Sequence, residues 1–158
     1  MADKPMIVLV HGALTDASVW SATASELRNS GFSTIAPAIP LRGLQSDVEY
    51  LSAFVDTLEG PFVLVGHSYG GSVISHPRLA KAKLKSLVFV SAFVQDEGET
   101  AGELNARWPG SKLTEATTIV RNHPDGQELY LKPEAFAEVY AADLPAEQIS
   151  TRRGPTSD

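Results

Sequence analysis

The sequence contains no cysteine, few basic residues and no long hydrophobic run. The lack of cysteine excludes disulfides and thiolate metal sites, and it fits a reducing compartment. The 13 Lys and Arg residues against 19 Asp and Glu residues give a formal charge of −6, which argues against a nucleic-acid partner. No apolar stretch approaches the ~18 residues of a membrane span, and the start lacks the apolar region of a secretory signal. We therefore expect a cytoplasmic protein with no nucleic-acid or membrane partner.

The distribution of apolar residues predicts an α/β fold. The 158 residues, of which 43% are hydrophobic, suffice for one domain with a real core. Short apolar runs predict four strands, at Met6–Val10, Phe32–Ala36, Pro61–Val65 and Ser86–Val94. Helical patterns lie between these strands, so we predict a doubly wound, mostly parallel sheet with right-handed crossovers.

Helix starts and stops can be read from local signals. Apolar residues at helical spacing predict a first helix over Trp20–Leu27, with Gly31 just beyond its end. The sequence "SDVE" at Ser46–Glu49 is a capping-box pattern, which predicts that the second helix begins at Ser46. A third helix should begin near Gly70, and Pro77 should stop or kink it after about two turns.

The regular alternation of strands and helices ends at Val94. The polar segment that follows predicts a short helix around Ala101–Arg107, a hairpin around the turn "NHPDG", and a helix that opens with the proline of "KPEAF". These pieces suit a small lid better than another strand–helix unit. We therefore divide the chain into a core over 1–94, a lid segment over 95–148 and a disordered tail over 149–158.

The sequence from Gly66 to Gly70, "GHSYG", matches the G-x-S-x-G nucleophile elbow. A serine at a sharp strand-to-helix corner needs neighbours without bulk two positions away, and both of those positions are glycine. The pattern directly follows the strand "FVLV" and opens a helix, which is the context that an elbow requires. The alternative is a small-residue crossover turn in which Ser68 has no chemical role.

The segment "HGALTDASVW" follows the first predicted strand. A main-chain N–H in this turn could point toward the elbow and supply half of an oxyanion hole, with the Tyr69 N–H as the other half. The residue after "HG" is Ala13, so its N–H is the candidate. A plain strand-to-helix loop is the equally simple alternative.

These segments, together with "APAIPLRGLQSDVEYL" and "LVFVSAFVQDEGET", resemble the α/β-hydrolase superfamily. The resemblance runs from about Met6 to about Gln148 and is strongest to the small esterase and hydroxynitrile-lyase-like branch. It implies a serine hydrolase that acts on small carboxylic esters without metal or cofactor. Ser68 would attack the acyl carbon, and the amides of Ala13 and Tyr69 would hold the oxyanion. A carbon–carbon lyase on the same scaffold stays open.

A serine nucleophile needs a base, and the chain has four histidines. His11 precedes Gly12, where the family uses it to shape the loop, and the side chain of His67 should alternate away from the Ser68 pocket. His76 lies about 12 Å along the next helix, beyond hydrogen-bond reach of Ser68. His123 fits a surface turn, although a folded lid could bring it to the site. Asp96 is a minor candidate for the acid.

The resemblance also implies a triad in the order Ser, acid, His, with the acid and the His after late strands. Neither strand can be recognised here, so we expect a hydrolase truncated by gene interruption, by frameshift or by choice of segment. A chain without the base could be weakly active or inactive. The alternative function is therefore a catalytically incomplete binding or interaction module on a hydrolase scaffold.

In the family's strand order the fourth strand would have a neighbour on each side. Without that neighbour it becomes an apolar edge with unpaired main-chain groups, so we expect a homodimer or soluble aggregate through this strand. Light scattering at high micromolar concentration should give a mass above that of one chain. A compact, stable monomer under those conditions would contradict the expectation.

Overall fold

The computed structural model describes residues 4–124, 126–145 and 149, and it divides the chain into two compact units. A core unit spans Met1–Leu104, and a second unit spans Asn105–Asp158. The boundaries of core and lid expected from the sequence stay a prediction, and most of the expected tail, 150–158, lies outside the described residues. No helix in the described part is long and apolar enough to cross a membrane.

The core unit is built on a four-stranded sheet in which neighbouring strands are all parallel. Its strands are β1 (Met6–Val10), β2 (Thr34–Ile35), β3 (Phe62–His67) and β4 (Leu84–Val90). Their order across the sheet is β2-β1-β3-β4, so β1 and β3 are the inner pair. The predicted doubly wound parallel sheet is confirmed.

Helices cover both faces of this sheet. Helix α1 (Ser21–Asn29) packs on one face, and α2 (Leu44–Asp56) with α3 (Tyr69–Ile74) packs on the other. Alternate side chains of β1 face the two layers because successive residues of a strand point in opposite directions. The larger cluster, on the side of α2 and α3, contains Val8, Val10, Ile39, Val48, Leu51, Val55, Phe62, Leu64, Val73, Ile74 and Leu79.

Two strand predictions were too long. β2 is confined to two residues, and β4 ends at Val90 rather than Val94. The reason at β4 is Ser91, whose φ of 42° turns the chain out of the extended conformation. The turn brings the Ser91 carbonyl to the Ser68 N–H, at 3.2 Å. The strand therefore ends where the chain turns at Ser91, beside Ser68.

The capping-box prediction for the second helix was wrong. Helix α2 begins at Leu44, and its N-cap is Gly43, whose φ of 116° suits glycine. Ser46 lies inside the first turn, and Glu49 accepts a hydrogen bond from the Gln45 side chain instead. The side chain that serves the helix start is Asp47, which accepts the Arg42 N–H at 3.1 Å.

The predicted elements after the core are confirmed. Helix α4 (Ala101–Arg107) leads into the second unit, where β5 (Thr118–His123) and β6 (Gly126–Leu131) form an antiparallel hairpin. A 3₁₀ turn at Pro133–Ala135 precedes α5 (Phe136–Tyr140). Within this unit the Lys112 ammonium lies 2.8 Å from the Glu138 carboxylate.

Leu51 tests the contribution of α2 to the core. Its side chain is fully buried, whereas Leu44 in the same helix is 37% exposed. We expect Leu51→Ala to lower the free energy of unfolding by about 2–5 kcal/mol, because a cavity replaces the side chain. Leu44→Ala should change it by less than about 0.5 kcal/mol. Urea denaturation of both variants gives the comparison, and equal losses would show that α2 does not pack as described.

Candidate active site

Ser68 lies at a sharp corner between a strand and a helix. It follows β3 directly, precedes α3, and has φ 52° and ψ −123°. A side chain strains this backbone conformation by about 1–3 kcal/mol. The residue is only partly buried, so the corner presents it toward the surface of the core unit. This is the corner that the G-x-S-x-G pattern predicts.

Main-chain hydrogen bonds hold the strained serine on both of its peptide groups. The Ser68 N–H donates to the Ser91 carbonyl at 3.2 Å. The Ser68 carbonyl accepts from Gly71 at 2.9 Å and from Phe93 at 3.1 Å. Two of these partners follow β4, so the turn after that strand braces the corner.

The two glycines of the elbow allow the corner to pack closely. A Cβ on Gly66 would lie 2.6 Å from the Gly70 carbonyl oxygen, and a Cβ on Gly70 would lie 2.5 Å from the Val10 carbonyl oxygen. Real Cβ atoms essentially never approach backbone oxygens so closely, so any larger residue would displace the turn. The elbow therefore rests directly on the end of β1.

The turn after β1 contacts the serine side chain. A Cβ on Gly12 would lie 2.8 Å from the Ser68 Cβ, so the Gly12 main chain passes against the nucleophile candidate. Ala13 follows in a tight turn, and the next residue, Leu14, has a φ of 66°. The residues proposed from the sequence at the ends of β1 and β3 are thus neighbours.

The buried side chain of His11 forms a hydrogen bond with this turn. Its Nε2 accepts the Ile39 N–H at 3.0 Å, and its Nδ1 lies 2.8 Å from the Gly12 carbonyl. A ring nitrogen that accepts carries no proton, so the hydrogen-bond pattern assigns the proton to Nδ1, which donates to Gly12. The ring is 1% exposed. His11 is therefore engaged in the loop and unavailable to Ser68.

Tyr69, the residue after the serine, is anchored by a side chain that the sequence analysis missed. Its hydroxyl donates to Asp47 Oδ2 at 2.7 Å, and Asp47 is fully buried. Burial raises the pKa of Tyr69 well above its usual value, and the hydrogen bond to Asp47 and the charge of that carboxylate raise the pKa further. The available signal was helical spacing, since Asp47 precedes Leu51 and Val55 by four and eight residues on the buried face of α2.

Three other candidate side chains have partners of their own. His67 packs edge-on against Trp20, with ring centroids 6.3 Å apart. His76 caps a 3₁₀ turn through its Nδ1, which accepts the Arg78 N–H. Asp96 is exposed and accepts the Glu97 N–H. His123 ends β5 in the second unit.

The Ser68 side chain has no hydrogen-bond partner within the described residues of the core unit. A cavity of about 210 Å³ in the core unit lies beside α1 and β2, and its lining does not include Ser68, Ala13 or Tyr69. Residues 4–124, 126–145 and 149 contain no group of three His, Asp or Glu side chains placed to hold a metal ion.

Comparison with known proteins points to one family. The sequence profile of the alpha/beta hydrolase family matches residues 7–157. The chain is 34% identical over 107 residues to the carbendazim hydrolyzing esterase of Nocardioides sp., an alignment that covers 59% of this chain and 44% of that protein. It is 28% identical over 166 residues to the pyrethroid hydrolase of Sphingobium wenxiniae, covering 89% of this chain and 56% of the relative. The chain thus spans about half the length of these curated relatives.

The fold also matches solved structures. Tomato methylketone synthase I, crystallised with 2-tridecanone, superimposes with a TM-score of 0.73 at 23% identity. The superposition covers 95% of this chain and 65% of that chain. At this identity the likeness shows the fold alone.

We expect the stability of the core unit to depend on pH through His67. Burial lowers its pKa below the ordinary value. The unfolded chain binds the proton at about pH 6.5, so stability should be complete above that pH and fall as the pH drops toward the lowered folded value. His67→Gln should reduce this loss in urea denaturation between pH 7.5 and 5. The difference should persist in 1 M salt, because burial is the main cause; identical pH profiles would contradict the assignment.

Proposed function

The chain belongs to the alpha/beta hydrolase family, and from this premise we propose that it hydrolyses small carboxylic esters with Ser68 as the nucleophile. The observation that carries the proposal is the positive φ of Ser68 at the partly exposed corner between β3 and α3. The names of two relatives, a carbendazim hydrolyzing esterase and a pyrethroid hydrolase, support hydrolysis.

In the proposed reaction the Ser68 Oγ bonds to the acyl carbon, its proton passes to a base, and the carbonyl electrons move to oxygen. The N–H groups of Ala13 and Tyr69 donate to this oxyanion. Collapse of the intermediate expels the alcohol, which takes up a proton, and leaves an acyl group on Ser68. Water then attacks the acyl group in the same way and releases the acid.

The engagement of the core histidines favours a second candidate function. His11 bonds the main chain of Gly12 and Ile39, His76 caps a turn, and His67 packs against Trp20. A base must be oriented as well as near. If no base reaches Ser68, the same corner would serve a binding or interaction module without turnover.

We infer a cytoplasmic location, supported by the absence of cysteine from the sequence. We also infer a homodimer through β4, the last strand of the described sheet, on which Val88, Phe89 and Val90 are 42%, 39% and 40% exposed. The light-scattering measurement above tests this association.

Ser68→Ala tests the proposed nucleophile. With p-nitrophenyl acetate we expect the unmodified chain to exceed this variant by roughly tenfold or more, because covalent catalysis divides one difficult step into two. It should also give an initial burst of p-nitrophenol, the sign of an acyl intermediate. The matched control is Ser72→Ala one turn along α3, where the buried hydroxyl has no partner among the described residues.

The control should retain the rate and burst of the unmodified chain. Equal rates for the unmodified chain and Ser68→Ala would reject the nucleophile. Saturable ester binding without turnover would then favour the binding module.

A further inference from the structure

We propose that Asp47 is a positioning residue for the oxyanion side of the site, acting through its hydrogen bond to the Tyr69 hydroxyl. The inference rests on the proposed function, because it concerns the geometry of the Tyr69 N–H beside Ser68. Asp47 lies in α2, and no step of the proposed reaction uses it. Its place in the fold nevertheless connects it to the nucleophile corner through one side chain.

The surroundings of Asp47 show what its carboxylate does. The residue is 0% exposed, and one oxygen accepts the Tyr69 hydroxyl at 2.7 Å while the other accepts the Arg42 N–H at 3.1 Å. Removing a carboxylate from water is costly unless hydrogen bonds compensate, and Asp is almost never fully buried unless paired. A leucine or valine would continue the apolar face of α2 at lower cost. The carboxylate therefore has a purpose other than packing.

Tyr69 transmits the effect of Asp47 to the corner. It is the first residue of α3, and its ring packs against the cluster formed by α2, α3 and the sheet. The peptide group between Ser68 and Tyr69 carries the proposed oxyanion N–H, and rotation of this group is the direct way for the strained Ser68 to relax. A side chain fixed at its hydroxyl end limits movement of the Tyr69 Cα and therefore opposes that rotation.

The second oxygen of Asp47 extends the constraint toward Ala13. It holds the Arg42 N–H, while His11 Nε2 holds the Ile39 N–H, so buried side chains fix both ends of the segment 39–42. The Nδ1 of His11 in turn donates to the Gly12 carbonyl. The turns that carry the two proposed oxyanion donors are thus joined by these hydrogen bonds and by the main chain of residues 39–42.

The effect of Asp47 is geometric, because its charge has the wrong sign to stabilise an oxyanion. Two negative charges repel in a medium of low dielectric. The carboxylate instead keeps the phenol protonated and bonded, in accord with the raised pKa of Tyr69. This predicts that the hydrogen bond matters for the rate and that the charge itself does not.

The test compares Tyr69→Phe, Asp47→Ala and Asp47→Asn in p-nitrophenyl acetate hydrolysis, under conditions in which each variant is folded by circular dichroism. Tyr69→Phe keeps the ring and removes the bond, so kcat should fall about tenfold with KM within about twofold. Asp47→Ala should lose at least as much. Asp47→Asn should stay within about threefold of the unmodified chain, since its amide can donate to the phenol oxygen and still accept the Arg42 N–H.

The matched control is Asp56→Ala, in the same helix, where the carboxylate pairs with Lys81 at the surface. It should leave kcat and KM unchanged. Absorbance at 295 nm during a pH titration gives a readout without turnover: the phenol of Tyr69 should ionise at lower pH in Asp47→Ala than in the unmodified chain. If Asp47→Ala does not fold, Tyr69→Phe and Asp47→Asn carry the comparison.

The outcomes separate the two proposals. If the unmodified chain matches Ser68→Ala, the proposed function fails and this inference fails with it. If the chain exceeds Ser68→Ala but Tyr69→Phe and Asp47→Ala retain its kcat, only the positioning role is overturned. A loss confined to KM, or an Asp47→Asn variant as slow as Asp47→Ala, would also contradict positioning through the hydrogen bond.

Discussion

Ser68 has a main-chain conformation that glycine adopts easily and other residues do not, and the segments around it keep it there. Ser91 accepts its N–H, while Phe93 and Gly71 donate to its carbonyl. Each of these bonds is worth only about 0.5–1.5 kcal/mol, which is comparable with the strain. The corner is therefore stable only while several of them are made together. The ends of β3 and β4 and the start of α3 must therefore keep their relative positions for the corner to form.

The elements that the sequence predicts well are those whose signals are local. The buried strands β1 and β3 follow from apolar runs, and the corner follows from the glycines on either side of Ser68. The predictions that were wrong have different causes. β4 ends early at the positive φ of Ser91, whereas α2 begins before Ser46 because Gly43, also at a positive φ, is its N-cap. Asp47 was hidden because its partner Tyr69 is 22 residues away.

Buried polar side chains have a common task in this core unit. The segment between β2 and α2 lacks regular structure, so its inward-facing N–H groups need acceptors that no neighbouring strand supplies. His11 and Asp47 supply them, at Ile39 and Arg42 respectively. Each also bonds a second group beside the Ser68 corner. The same two side chains thus accept the loop N–H groups and form hydrogen bonds beside the Ser68 corner.

A serine hydroxyl is un-ionised at neutral pH, so the proposed reaction needs both ordered donors and a base. The proposed donors belong to the turns after β1 and β3, with which His11 and Asp47 form hydrogen bonds. In serine hydrolases that lose one triad member, oxyanion donors and binding still leave about 10³–10⁴-fold acceleration over water. On the proposed mechanism, the fixed positions of the Ala13 and Tyr69 N–H groups therefore contribute to the rate, whatever group accepts the Ser68 proton.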